Sequence, residues 1–151
     1  MASQWSKAPP AGWPRISTSL AYQDAAQLID WLCRAFGFEV RIKVMGDDGT
    51  VVHSELTFGD GVIMVAGERS GPGELARSPR SLGGAYTQGL FIYVDDIQAH
   101  YDRAIAAGAK VTREIAVSDY GAEYWVDRGY AVSDPEGHNW HFAQRLRSPA
   151  A

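Results

Sequence analysis

Two stretches of this chain place apolar residues at the spacing of a helix face, and most of the rest falls into short alternating runs. In the first stretch Ala25, Leu28, Ile29, Leu32 and Phe36 recur at intervals of three and four, the stripe of an amphipathic helix. The second carries Ile97, Tyr101, Ala104 and Ile105 in the same manner. Around the first helix stand Asp24, Gln27 and Gly37, and around the second Asp95, Gln98 and Gly108 with the same internal spacing, so one plan is built twice. Each trio has a mechanism: the Asp caps free amides, the Gln closes a capping box, and the Gly ends the helix in a left-handed conformation. The second stripe fits better with Asp96 as the cap.

Short strand-like runs surround each helix. In the first copy they are Arg15 to Ala21, Phe38 to Val44, Val51 to Phe58 and Val62 to Val65, with turns at Asp47-Asp48-Gly49-Thr50 and Gly59-Asp60-Gly61. Gly89 to Val94, Lys110 to Ile115, Tyr124 to Ser133 and His138 to Ala143 repeat the order, with Asp134-Pro135-Glu136-Gly137 as the final turn. The predicted unit is therefore βαβββ. The pattern divides the chain into a tail (1–14), a single domain (15–144) and a C-terminal tail (145–151). Within the domain, module one spans 15–67 and module two 89–144, and the Gly-, Pro- and Ser-rich stretch 68–88 connects them. One helix covers only one face of a four-stranded sheet. The expectation is an α+β fold in which the two modules form a curved, mixed β-sheet cavity with the helices outside.

Composition narrows the partners. With 46% apolar and 21% charged residues the chain has the make-up of a globular domain, and its net charge of -4 offers no basic field to nucleic acid or anionic lipid. The stretch up to Pro14 has three prolines and no continuous apolar run, so neither a signal peptide nor a membrane span is expected there. Cys33 is the only cysteine, which suits a reducing, cytoplasmic setting and excludes an internal disulfide. It has no local His partner and is not proposed as a nucleophile.

Candidate chemistry gathers on three strands. Strand alternation turns Trp140 and Phe142 one way and Asn139 and His141 the other, which aims His141 into the expected cavity. His138 falls at the strand's start as a hydrogen-bonded edge residue. In Val52–Phe58 the same rule puts His53, Glu55 and Thr57 together, a carboxylate beside an imidazole that could do acid–base work or, with His141, hold a metal. The alternative is a cross-strand hydrogen bond on a half-exposed sheet. Phe91 and Tyr93 share a cavity-facing side and suit a planar ligand. Glu123 and Asp127 add acidity nearby, as would suit a cationic ligand. His100, at the edge of its helix stripe, is expected at the surface.

Val94-Asp95-Asp96, Ala106-Ala107-Gly108-Ala109 and Asp134-Pro135-Glu136-Gly137-His138, on a doubled βαβββ plan, resemble the glyoxalase / bleomycin-resistance / extradiol dioxygenase (vicinal oxygen chelate) superfamily over residues 15–144. The His53-x-Glu55 pair with the Asp-Pro-x-Gly-His turn is similar to a branch without an assigned activity. The resemblance implies a cavity between modules, common homodimers and, in metal-dependent members, a ligand from the first and fourth strand of each module. Those positions fall here on Ser17, Met64, Gly89 and His141. Only His141 suits a divalent ion, whereas a catalytic site needs about three protein ligands. The leading expectation is metal-independent binding of a small organic ligand, with Ser17, Met64, Phe91, Tyr93, Asn139 and His141 at the site and no cofactor. One alternative is a lyase or dioxygenase with relocated ligands, His141 with His53 and Glu55 holding a divalent metal and Glu55 or Glu123 moving the proton. A dimeric interaction module without ligand is the other.

Overall fold

The computed structural model describes residues 7–150. Module one contains β1 (Thr18–Tyr22), α1 (Ala25–Phe36), β2 (Glu39–Met45), β3 (Val51–Phe58) and β4 (Gly61–Gly67). After the connector, module two repeats the plan as β7 (Gly89–Tyr93), α2 (Ile97–Ala106), β8 (Lys110–Asp119), β9 (Val126–Ser133) and β10 (Asn139–Arg147). Their sheets have the same permuted order, β1-β4-β3-β2 and β7-β10-β9-β8. In each, the first strand pairs parallel with the last and the other pairs are antiparallel. A parallel pair needs a crossover connection, and each helix supplies it. The expected α+β fold of two βαβββ modules is what the chain forms. No helix among the described residues is long and apolar enough to cross a membrane.

The local signals act largely as their chemistry predicts. Asp24 accepts from the amide of Gln27 and Asp96 from that of Ala99, so Asp96 rather than Asp95 caps α2. Gly37 closes α1 at φ 85°. The expected capping box is replaced, because the amide of Asp24 donates to Glu136, a carboxylate from the other module. Two strands run furthest past their predicted ends: β8 continues to Asp119 and β10 to Arg147, past Gln144. The connector also holds more structure than its composition suggests. Gly73, at φ 78°, lies in the turn between β5 (Arg69–Gly71) and β6 (Glu74–Ala76), and a 3-10 turn follows at Pro79–Leu82. Residues 1–6 of the expected tail and Ala151 lie outside the described residues, while Trp13 lies against Arg41.

The helix-covered faces of both sheets meet in one core. Phe36 of α1 packs on Trp140 and Phe142 of β10, at ring separations of 5.2 and 4.8 Å, so the two modules share their largest buried rings. The last carbonyls of a helix have no partner of their own, and here each helix completes the other. Arg103 donates to the carbonyls of Cys33 and Arg34, His100 Nε2 to that of Phe36, and Trp31 Nε1 to that of Ala107.

His100 is therefore buried, not on the surface as its place on the stripe suggested. The stripe misleads because α2 faces α1 as well as its own sheet. A carbonyl only accepts, so Nε2 carries the proton and Nδ1 accepts from Tyr130 Oη at 2.6 Å. Burial pushes this imidazole below its ordinary value. The unfolded chain then takes up a proton near pH 6.5 while the folded one resists it, so the stability His100 contributes is present above about pH 6.5 and lost as the pH falls. The thermal midpoint is expected to drop less between pH 7 and 5 in His100→Asn than in the unaltered protein. Equal slopes would show that His100 is not the group responsible.

A second joint is polar. Asp134 accepts from Tyr22 Oη (2.7 Å), Trp140 Nε1 (3.0 Å) and the amides of Glu136 and His138. Glu136 accepts from the amides of Gln23 (2.7 Å) and Asp24 (2.9 Å) and from Ser78 Oγ (2.6 Å), and His138 Nε2 donates to the carbonyl of Ala21. The Asp134–His138 turn thus ties module two to the β1–α1 junction and to the connector. Burial and the neighbouring Asp134 carboxylate raise the Tyr22 phenol well above its ordinary value, so it stays protonated and donating.

Candidate functional site

With one face of each sheet committed to the core, the opposite faces carry the polar and aromatic residues available for function. On module two the parallel β7–β10 register sets Gly89 beside Asn139, Phe91 beside His141 and Tyr93 beside Ala143. Phe91 and Tyr93 are 53% and 47% exposed on the same strand, while Trp140 and Phe142 point into the core. A cleft of about 690 Å³ opens where the edges of β1 and β7 approach, and Gln88 bridges them by donating to Thr18 Oγ1. Ser17, Phe91 and Tyr93 line it together with Phe58 and Val62. Met64, Asn139 and His141 lie on the adjoining strands, outside its lining.

The positions that would carry a metal do not suit one. Ser17 lies just ahead of β1, and its buried hydroxyl has no hydrogen-bond partner. Met64 offers only a thioether, a soft donor ill matched to a hard divalent ion. Gly89 has no side chain, and a Cβ there would stand 3.1 Å from Asn139 Oδ1. The remaining position, His141, points Nε2 at Arg113 Nη2. A guanidinium only donates, so Nε2 is the acceptor and the ring's proton sits on Nδ1. Burial and the Arg113 charge push this imidazole below its ordinary value. The nitrogen that a cation would need already faces a positive charge.

His53 and Glu55 do come together, with Nε2 3.1 Å from Oε1 on β3. Glu55 also accepts from Arg41 Nε at 2.8 Å. The hydrogen bond from His53 and the Arg41 guanidinium hold this carboxyl below the usual carboxylate range, which makes it a weak proton acceptor at neutral pH. His53 and Glu55 sit on module one and His141 on module two, and no hydrogen bond joins them. No group of three or more His, Cys, Asp or Glu side chains among the described residues could hold a metal ion. Glu123 is exposed in the turn between β8 and β9, bonded to none of these residues. Burial raises the Cys33 thiol, which leaves it unactivated.

Sequence reasoning named the acidic residues of this face and missed the basic ones. Arg113 on β8 and Arg145 on β10 project onto the face that holds His141, yet neither stands in a motif. Arg145 Nε donates to Asp127 Oδ1, and its guanidinium stacks 5.2 Å from the rings of both Tyr93 and Trp125. Asp127 also accepts from Tyr93 Oη. The acidity expected to attract a cation is thereby neutralised at Asp127. Strand alternation from His141 to Arg145 was the one available signal for this pairing.

Comparison with known proteins agrees with this architecture. A family profile described as glyoxalase/bleomycin resistance protein/dioxygenase superfamily matches residues 16–142. An uncharacterised protein of Mycobacterium bovis is 33% identical over 135 residues, which cover 89% of this chain and 85% of that one. Among solved structures, TioX from a Micromonospora species is 31% identical with a TM-score of 0.68, covering 88% of this chain and 99% of that one. A glyoxalase/bleomycin resistance protein/dioxygenase from Alicyclobacillus acidocaldarius shares the fold at 11% identity and a TM-score of 0.61, over 91% of this chain and 96% of that one. A doubled βαβββ plan matched by a profile over nearly its whole length places this chain in the glyoxalase/bleomycin resistance protein/dioxygenase superfamily.

Proposed function

We propose that the protein binds a small organic ligand without a metal, on the sheet faces that its core leaves open. The observation that carries this reading is the pairing of exposed Phe91 and Tyr93 with a His141 whose Nε2 is turned toward Arg113. Flat rings and a few polar donors are the ingredients of a binding site, whereas three free metal ligands are not assembled. The open faces also suggest what completes the site. Ile42 and Val44 on module one, paired with Glu55 and His53, and Phe91 and Tyr93 on module two are each more than 40% exposed. Apolar surface on this scale marks a place for association. A second copy presents the same pair of faces, so a twofold contact would cover both modules at once as a homodimer. The single cysteine is in keeping with a cytoplasmic, reducing setting.

Protein purified without chelator or affinity nickel, then loaded with zinc, nickel, iron or manganese, is expected to scatter light as a dimer and to retain far less than one ion per chain. One retained equivalent, lost in His141→Ala, would overturn the metal-independent reading in favour of a lyase or dioxygenase. In a thermal-shift screen, planar aromatic compounds are expected to raise the midpoint. A dimer that responds to none of them would instead be an interaction module.

A further inference from the structure

The charges on the open face of module two carry the reading further and indicate the sign of the ligand. Asp127 is the buried carboxylate of this face, and it is spent: Arg145 donates to it, as does the hydroxyl of Tyr93. Arg113 is in the opposite position. It forms no ion pair among the described residues, and its hydrogen bond goes to a neutral acceptor, His141 Nε2. Both Arg113 and His141 pair with Ala131 of β9, so the two side chains leave the same side of the sheet. Phe91 follows on β7 beside His141, its ring 4.7 Å from the imidazole and 5.2 Å from that of Tyr93.

Across this sheet β8, β10 and β7 thus present, in order, an uncompensated guanidinium, an imidazole and a pair of exposed rings, with only the small Ala131 of β9 between the first two. The guanidinium keeps several N–H groups beyond the one spent on His141, arranged in the fork that matches a carboxylate. By accepting from it, His141 Nε2 fixes the guanidinium over this face. The rings of Phe91 and Tyr93 offer flat apolar area to an aromatic body.

Resting on the reading that this face binds a small molecule, we infer that its ligand is an aromatic carboxylate, the acid held by Arg113, which His141 positions, and the ring lying against Phe91 and Tyr93. Arg113 is the specificity-determining residue. The acidic residues nearby had pointed to a cation, and the ion pair at Asp127 reverses that sign.

Calorimetric titration of the intact protein tests this with 1-naphthoate and 9-anthracenecarboxylate against their carboxamides and their methylammonium analogues. The carboxylates are expected to bind at least tenfold more tightly than the amides, with the ammonium compounds weakest. Arg113→Gln should weaken the acids at least tenfold and the amides much less, removing the preference for acid over amide, and Arg113→Lys should keep part of it. Phe91→Ala should weaken acids and amides by a similar factor. Thermal midpoints of all three variants, compared with that of the unaltered protein, identify any that is unfolded. Amides or ammonium compounds that bind as tightly as the acids would overturn the carboxylate assignment and leave the ligand-binding reading standing. Absence of binding by every compound would overturn both.

Discussion

Glu136→Ala is expected to lower the unfolding free energy by about 3–5 kcal/mol, the range for removing one side of a buried charged network. For a chain of this size that is a fall in thermal midpoint on the order of 10 °C. The side chain is fully buried, and three donors converge on it: the amides of Gln23 and Asp24 and the hydroxyl of Ser78. The Arg80 guanidinium, 3.8 Å away, adds the nearest compensating charge. Alanine leaves the three donors without an acceptor where water reaches them poorly, and each unmet donor costs about 1–3 kcal/mol. Glu136→Gln keeps one acceptor oxygen and should fall between the two. The measurement is denaturant unfolding followed by tryptophan fluorescence. A loss below about 1 kcal/mol for the alanine variant would mean that water replaces the carboxylate, in which case the turn is not the joint described here.

Phe36→Ala is expected to have a similar effect, about 3–5 kcal/mol, through a different cause. Phe36 is fully buried at the C-terminal end of α1, in contact with Trp31 of its own helix and with Trp140, Phe142 and the His100 ring of module two. Truncation opens a cavity between the modules rather than within one, so neither sheet can collapse into it alone. The near-ultraviolet dichroism of Trp31 and Trp140 should weaken together. Loss of the Trp31 signal alone would show that module two packs independently of α1. Since Phe36 and Glu136 are not in contact, the double variant should show additive losses.

The repeat was legible because its signals are local. An Asp cap, a left-handed Gly and a 3.6-residue stripe each act within one element, so α1, α2 and the strands that flank them, β1 and β7 included, follow from short windows. What escaped reading depends on the partner module. His100 looks like the edge of a stripe in α2, and only the carbonyl of Phe36 and the hydroxyl of Tyr130 explain its burial. Gln27 has the spacing of a capping box, yet the amide it would serve is taken by Glu136, far along the chain. At the candidate site, His141, Phe91 and Tyr93 could be assigned a common side by alternation. Arg113 could not, because a register irregularity in β8 between Val111 and Arg113 breaks the count by which a residue is assigned to a face. The charge on the site was therefore hidden while its rings were visible.

The Asp134–His138 turn has a consequence for how such chains are recognised. It is among the segments by which the sequence resembles its superfamily, and every polar side chain in it is occupied in holding α1, the connector and β10 together. Its presence in another chain is a mark of common assembly and carries no information about the reaction catalysed or the molecule bound. Relatives that share this turn are therefore free to diverge in chemistry, since the exposed rings and charges of module two lie on the other side of the sheet.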